Sequence, residues 1–219
     1  MRTSDNGRAF IEAFEGLYLH DYDDGTGVIT IGYGHTNLAG VPPKVFKGQK
    51  ITEPQADAIL ADDLAAVEKD VARFIKVPMT QAQFDALVSF HFNTGALGKS
   101  SIDDKFNAGD VPGAMNTLLQ YDHAGGRQMA GLTRRRQAER LVFVGQVEQG
   151  MKLAGAHMKA PGGPMPQTPV KAPNITITPI PTEKPTVPVP PAKPSITNPS
   201  PGSLGAFIAS IFAAIFKRK

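Results

Sequence analysis

Proline is distributed very unevenly along this chain of 219 residues, and the unevenness limits where a core can form. Of the 19 prolines, 14 lie between Pro161 and Pro201. Proline lacks a backbone N–H donor and fixes its own φ angle, so a segment this rich in it is expected to be an extended linker. We predict one domain over 1–150, a disordered linker over 151–202 and a separate segment over 203–219.

The formal charge divides at the same place. Residues 1–150 carry 15 basic and 19 acidic residues, a net charge of −4, whereas the remaining residues carry eight basic and one acidic residue, a net charge of +7. The overall charge of +3 therefore comes from the tail. A nucleic-acid-binding domain is normally basic itself, so we expect no nucleic-acid partner.

The sequence lacks cysteine and an N-terminal secretory signal, which limits the possible kinds of metal site and the expected location of the protein. The chain contains no cysteine, which excludes disulfides and thiolate metal sites, and its histidines show no ligand spacing. We expect no metal and no cofactor. The first 16 residues are charged every few positions and lack the apolar stretch of a secretory signal, so we expect the protein to stay in the cytoplasm until another factor opens a route.

Hydrophobic periodicity predicts an α+β domain, with a small hairpin lobe followed by a mainly helical lobe. A short helix is expected over about 7–15, and a hairpin over 17–33 with its turn at 23–27. Capping boxes at Thr52 and Thr80 open two longer helices, the first ending near Phe74. Further helical patterns cover about 100–107, 111–120 and 133–146.

The two capped helices differ in pattern. In the first, charged residues such as Asp63 and Glu68 mostly lie off the apolar stripe. The second carries Phe84, Phe90 and Phe92 on several faces, which predicts the buried central helix of the helical lobe.

Two carboxylates lie where the first helix meets the hairpin. Hydrolysis of an acetal needs one carboxyl kept protonated as a general acid and a second carboxylate across the cleft. Glu15 ends the predicted helix and Asp24 lies in the predicted turn, so the two supply such a pair. On this pattern alone, solvated surface groups are the more frequent explanation.

The spacing and context of these residues are more specific. Glu15, Asp24 and Thr30 fit the pattern Glu-x8-(Asp or Cys)-x5-Thr. Two later segments, Met79–Gly95 and Gly131–Arg140, continue the match in order over about 140 residues. The chain resembles the phage-type lysozymes, glycoside hydrolase family 24, and a lysozyme-like fold is expected.

The resemblance implies an inverting muramidase that cuts the β-1,4 bond between N-acetylmuramic acid and N-acetylglucosamine in peptidoglycan and lyses the host cell. It makes Glu15 the general acid, Asp24 the carboxylate that acts on the attacking water, and Thr30 a group that helps to hold that water. A hydroxyl both donates and accepts, which suits this last role.

The resemblance also implies a partner for the acid. Arg135 matches the arginine that pairs with the catalytic glutamate in relatives, although the neighbouring arginines leave the register open by one residue. A cation beside Glu15 lowers its pKa and opposes its role as an acid. Either burial must offset the cation or the substrate must rearrange the pair.

Three more residues are candidates for substrate contact or support, namely Tyr22, Tyr33 and His35. Tyr22, with Tyr18, either faces the sugar cleft or packs in the hairpin core. A histidine in the position of His35 is more often a structural ion-pair partner than a catalyst.

Residues 203–219 form the least family-like part of the chain. Apolar residues recur there at helical spacing, the opposite face holds small residues, and Lys217, Arg218 and Lys219 follow. A helix of 14 residues reaches only ~21 Å, short of a ~30 Å hydrocarbon core. We predict a short amphipathic helix that contacts a bacterial membrane; packing onto its own domain is the alternative.

Three functions therefore remain open at this point: a muramidase, a non-catalytic wall-binding module on the same fold, and a membrane-permeabilising protein that uses the domain as a carrier. For the first, the expected partner is peptidoglycan, the expected state is a monomer, and a holin-type pore is expected to release the enzyme from the host cytoplasm to the wall.

Overall fold

A short helix, a small sheet and a helical lobe follow one another in the computed structural model, which describes residues 1–23 and 27–159. Three strands form an antiparallel sheet in chain order: β1 (Tyr18–Asp23), β2 (Ile29–Gly32) and β3 (His35–Thr36). The α-helices of the described residues are α1 (Asp5–Glu15), α2 (Glu53–Phe74), α3 (Gln81–Thr94), α4 (Ile102–Asn107), α5 (Val111–Leu119), α6 (Ala130–Phe143) and α7 (Val147–Ala154). A second small hairpin, β4 (His123–Ala124) and β5 (Arg127–Gln128), separates α5 from α6. The predicted α+β domain is confirmed.

Helix α1 begins two residues earlier than predicted because Ser4 caps it. The Ser4 hydroxyl accepts a hydrogen bond from the backbone N–H of Gly7 at 3.0 Å, which satisfies one of the free donors of the first turn. Phe10, Ile11 and Phe14 are buried along one side of the helix. Gly16 follows with a positive φ of 72°, a conformation that lets the chain leave the helix directly for β1.

Helices α2 and α3 begin where their capping boxes predict. The backbone N–H groups of Thr52 and Thr80 donate to the side chains of Gln55 and Gln83, respectively, at 2.8 and 2.9 Å. Helix α3 packs against α1, α2 and α6, and its three phenylalanines are buried. The prediction of a buried central helix is confirmed.

The C-terminal part of the domain differs from the prediction. Helix α6 ends at Phe143, Gly145 has a positive φ of 86°, and α7 follows. Met151 on α7 is 1% exposed and belongs to the core. A side chain at Gly150 would meet Val142 within 2.6 Å, so α7 lies very close to α6. The boundary predicted at residue 150 is therefore wrong, because an apolar helix continues to Ala154. The rest of the predicted linker, from residue 160, and the predicted helix 203–219 lie outside the described residues.

Two charged residues of α2 are buried, whereas the sequence pattern predicts that the charged residues of this helix mostly lie off its apolar stripe. For these two residues the prediction is wrong. Asp63 is 3% exposed and Glu68 is 8% exposed, because each has specific partners. Glu68 accepts hydrogen bonds from the backbone N–H and hydroxyl of Thr3 and from Arg2, which fixes the N-terminal segment on α2. No helix within 1–23 and 27–159 is both long and apolar enough to cross a bilayer.

Candidate active site

Glu15 is the last residue of α1, and its carboxyl is buried. Its side chain is 2% exposed although glutamate is ordinarily a surface residue. The helix is oriented by the packing of Phe10 and Phe14 in the core, so the position of Glu15 is set by the hydrophobic face of the same helix. The carboxyl therefore lies where the helical lobe meets the start of β1.

Arg135 on α6 is the partner of Glu15. Its Nη1 donates to Glu15 Oε1 at 2.6 Å, and its side chain has no exposed surface. The guanidinium also lies over the ring of Phe14, 5.1 Å from its centroid. Of the neighbouring arginines, Arg134 is exposed and Arg136 contacts other groups, so the pairing falls on Arg135.

Burial governs the proton affinity of Glu15. Removal of the carboxyl from water raises its pKa, and this effect is larger than the lowering by Arg135. Glu139 raises the pKa of Glu15 further and Arg136 lowers it. The pKa of Glu15 therefore lies above its usual value despite the adjacent cation. Burial has a larger effect on this pKa than the pairing with Arg135.

Glu139 lies beside this pair and has no role in the sequence predictions, which include Arg136 only as an alternative partner of Glu15. Glu139 Oε1 accepts from Ser89 Oγ at 2.7 Å and from Arg135 Nε at 3.1 Å, and Arg136 Nη2 donates to Asn93 Oδ1 at 2.7 Å. Burial lowers the pKa of Arg136 to about 10, although Glu139 opposes this. The Arg-Arg-x-x-Glu spacing brings one carboxylate within a helical turn of both arginines, and this signal was available in the sequence.

Thr30 lies in the centre of the sheet, and Asp24 lies outside the described residues. Thr30 on β2 is opposite Tyr22 on β1 and Thr36 on β3. Its side chain is buried, and its hydroxyl donates to the backbone carbonyl of Val28 at 3.3 Å. Asp23 is the last residue of β1, so Asp24 follows the strand that carries Tyr22.

The two tyrosine candidates occupy different environments. Tyr22 contacts Tyr18 with ring centroids 4.2 Å apart, and both side chains are partly exposed on β1. Tyr33 is 8% exposed and belongs to the core, where burial, with Glu12 and Asp57 nearby, raises its pKa to about 12. This position suits a structural residue.

His35 connects the sheet to α2. Its Nδ1 lies 3.0 Å from both carboxylate oxygens of Asp63, and its Nε2 lies 2.8 Å from the carbonyl oxygen of Pro43. Both ring nitrogens face acceptors, and only the imidazolium can donate to both. Burial by itself lowers the pKa of His35, but Asp63 and Pro43 raise it above the usual value. Asp63 was not singled out as a site residue from the sequence.

The sequence and the fold of this chain match those of known proteins. A family model described as phage lysozyme matches residues 12–139. The chain belongs to the phage lysozyme family. It is 38% identical over 149 residues to the endolysin of Acyrthosiphon pisum secondary endosymbiont phage 1, covering 65% of this chain and 98% of that protein. It is 34% identical to the endolysin of Salmonella phage P22, covering 66% and 99%.

Solved structures agree with this family. The muramidase domain of SpmX from Asticaccaulis excentricus is 33% identical, with a TM-score of 0.58, and the match covers 65% of this chain and 97% of that one. A P22 lysozyme mutant is 32% identical, with a TM-score of 0.59 and coverage of 66% and 99%. The predicted lysozyme-like fold and family are confirmed.

As a member of this family the chain is a glycoside hydrolase of the lysozyme type, an endolysin whose substrate is peptidoglycan. The described residues contain no group of three or more histidine and acidic side chains that could hold a metal ion. Because the family match identifies the chain as an enzyme, the non-catalytic wall-binding module is not retained.

Proposed function

We propose that this lysozyme hydrolyses the β-1,4 bond between N-acetylmuramic acid and N-acetylglucosamine with inversion of configuration, and thereby lyses the phage host. The observation that carries the proposal is the buried Glu15 carboxyl, whose pKa lies above its usual value with one arginine beside it. Such a carboxyl keeps its proton to higher pH than an exposed glutamate does, and it can transfer that proton to a leaving glycosidic oxygen.

Arg135 has a role in the second half of this proton transfer. When Glu15 gives its proton to the leaving oxygen, it becomes a carboxylate in a site from which water is largely excluded. Arg135 Nη1, 2.6 Å from Glu15 Oε1, stabilises that new charge without any rearrangement. Burial thus favours the protonated acid before the step, and the arginine limits the cost of ionisation during it.

Asp24 and Thr30 are proposed to act on the attacking water. In an inverting reaction, water attacks the anomeric carbon on the face opposite the leaving group, and a carboxylate removes its proton. Asp24 directly follows β1, and Thr30 lies on the adjacent strand opposite Tyr22. The Thr30 hydroxyl donates to the backbone carbonyl of Val28, and its oxygen can still accept a hydrogen bond from the water.

The remaining candidates are proposed to support the substrate or the cleft. The partly exposed pair Tyr18 and Tyr22 offers aromatic surface to sugar rings, in keeping with the aromatic lining common in ligand sites. Tyr33 and His35 act from inside the fold, by packing and by joining the sheet to α2, and not by contact with the sugar.

The stereochemistry of the first product tests this mechanism. We expect NMR spectra recorded during cleavage of purified wall glycan to show the α-anomer first, because a water positioned by Asp24 and Thr30 attacks from the opposite face. An initial β-anomer, a trapped glycosyl-enzyme or a 1,6-anhydro product would overturn the inverting mechanism and leave Glu15 to be tested separately.

We also propose that a holin-type pore releases the enzyme to the wall and that residues 203–219 then contact an anionic membrane. The support is the sequence, in which an apolar stripe is followed by Lys217, Arg218 and Lys219. Each basic residue near an anionic surface contributes about 1 kcal/mol. We expect the full chain to bind vesicles with anionic lipid and a chain ending at Lys159 not to bind, while both cleave purified wall equally. Equal vesicle binding would contradict the membrane contact.

A further inference from the structure

Arg135 lies between two carboxylates rather than one. Its Nη1 donates to Glu15 Oε1 at 2.6 Å, and its Nε donates to Glu139 Oε1 at 3.1 Å. Neither Arg135 nor Glu139 has exposed side-chain surface. A single buried guanidinium is therefore shared by the proposed acid and by a second carboxylate one turn along α6.

Glu139 is itself held from three directions. Its Oε1 accepts from Ser89 Oγ at 2.7 Å, from Arg135 Nε and from Arg136 Nη2 at 3.2 Å. It donates no hydrogen bond, which is the bonding pattern of a carboxylate. The position of Arg135 is consequently fixed at its Nε end by a group that does not touch Glu15.

This sharing changes what Arg135 does to Glu15. An arginine paired with one carboxylate strongly favours the ionised form of that carboxylate. Here Glu139 neutralises part of the charge of Arg135, and its own negative charge further disfavours a second anion nearby. The pKa of Glu15 is raised by burial and by Glu139, and lowered by Arg135 and Arg136.

We propose that Glu139 is a positioning residue for glycoside cleavage, which holds Arg135 in place and shares its charge so that Glu15 retains the proton it transfers. Glu139 has no exposed side-chain surface, and its hydrogen-bonded connection to Glu15 runs through Arg135. This inference rests on the proposed role of Glu15 as the general acid.

The charges that act on Glu15 come chiefly from α6. Helix α3 turns the uncharged side chains of Ser89 and Asn93 toward this cluster. The other charged groups on the elements packed around α1 are engaged or exposed: Asp85 bonds Ser4, His91 bonds Asp70, Glu148 and Lys152 on α7 are exposed, and Glu12 pairs with Arg8. On the sheet side Asp23 ends β1, and Asp24 lies outside the described residues.

The test measures the pKa of Glu15 directly, by carbon-13 NMR of its carboxyl in the full chain. Glu139→Gln keeps an acceptor for Arg135 Nε but removes the negative charge, so the pKa of Glu15 should fall by about one pH unit or more. Arg136→Gln is the matched control, because it removes a positive charge instead of a negative one, and it should raise the pKa of Glu15. Ser89→Ala removes the hydrogen bond from Ser89 Oγ to Glu139 and the longer one from Arg135 Nη2 to Ser89 Oγ. It changes no charge, so the pKa of Glu15 should stay the same.

A double variant that removes one charge of each sign covers the case in which Glu139→Gln alone fails to fold. Glu139→Gln leaves Arg136 buried without its carboxylate, a change that commonly destabilises a fold, whereas Glu139→Gln with Arg136→Gln removes both charges. We expect the double variant to fold, with the pKa of Glu15 between those of the two single variants. If Glu139 has only a structural role, these variants will be less stable but the pKa of Glu15 will not follow the expected order. This result would overturn the inference.

Activity then separates this inference from the proposed function. In Glu139→Gln the alkaline limb of the pH profile of kcat/KM should move to lower pH by the same amount as the pKa of Glu15. If that pKa does not move, the positioning role of Glu139 is wrong. If it moves and the profile does not follow, Glu15 is not the acid and the catalytic part of the inference fails with it, although the coupling of Glu15 to Glu139 stands.

Discussion

Two buried charged clusters, one at the candidate active site and one between the lobes, are built differently. At the lobe junction, His35 and Asp63 form a compact pair in which both ring nitrogens face acceptors at 2.8–3.0 Å. At the site, two arginines and two glutamates crowd together on α1 and α6. Among the atoms of the described residues, Arg136 Nη1 there is buried with no hydrogen-bond partner.

The difference follows from what each cluster does. A buried ion pair stabilises a fold only when its geometry is good and its remaining polar atoms are satisfied. The junction meets that condition. The site does not, because like charges are held close and a donor is left over. Burial there raises the pKa of Glu15, Glu139 adds to this rise, and the two arginines oppose it. We infer that the junction contributes stability, whereas the site gives up stability to obtain an acid.

The largest expected effect is at the junction. Asp63→Asn leaves the charged His35 ring buried without its carboxylate, and breaking a buried pair in this way costs about 3–5 kcal/mol. We expect urea unfolding at pH 6 to show a loss of that size. Asp57 on the same helix is a half-buried carboxylate that pairs with Arg8. Asp57→Asn is the matched control and should cost less than about 1 kcal/mol. Equal losses would mean that the junction is not special.

The second expected effect is at the site. Glu15→Gln keeps the shape of the side chain and removes the proton that is transferred, so cleavage of purified wall should fall by at least ~10²-fold. The free energy of unfolding should stay the same or rise, because a buried ionisable group is removed. Glu12→Gln, one turn earlier on α1, is the control for activity. A fully active Glu15→Gln enzyme would remove Glu15 from the mechanism.

Local signals in the sequence predicted the elements that these clusters stand on. The capping boxes at Thr52 and Thr80 placed the starts of α2 and α3 correctly, because a cap involves residues only three positions apart. Glu15 was correctly placed at a helix end. The register of its arginine partner required the structure, since α1 and α6 meet across 120 residues.

Long-range burial of charge could not be predicted in the same way. Asp63 and Glu139 are charged residues that hydropathy assigns to the surface. Asp63 is buried against His35, and Glu139, whose arginine partners lie on its own helix, is also held by Ser89 from α3, 50 residues earlier in the chain. The boundary at residue 150 failed for a related reason. Proline content predicts a linker farther along the chain, but it carries no information on Met151, which fills the space beside α6.

The third expected effect is smaller and concerns the Arg136–Glu139 pair at the site. Here both members of a buried pair are removed, whereas Asp63→Asn removes only one. Replacing Arg136 and Glu139 together by methionine removes both buried charges and retains apolar volume. Such replacements are often neutral or stabilising. We expect the free energy of unfolding to change by no more than about 1 kcal/mol, while wall cleavage falls because Arg135 loses the acceptor at its Nε. A loss as large as that of Asp63→Asn would show that the site cluster stabilises the fold after all.

The smallest expected effect is the pH dependence of the junction. Because the pKa of His35 is raised in the folded protein, its contribution to stability is fully present below the unfolded histidine pKa of about 6.5, as long as Asp63, whose own pKa is raised by burial, stays ionised. That contribution is lost as pH rises through the folded pKa, since the ring then gives up the proton that it shares with Asp63. The stability difference between the wild type and Asp63→Asn should therefore shrink above about pH 6.5, by at most about 1.4 kcal/mol per pH unit. Urea unfolding of both proteins from pH 5 to 9 measures it. A difference that grows with pH would mean that His35 is neutral in the folded state. The description of the junction as a charged pair, which distinguishes it from the site, would then be wrong.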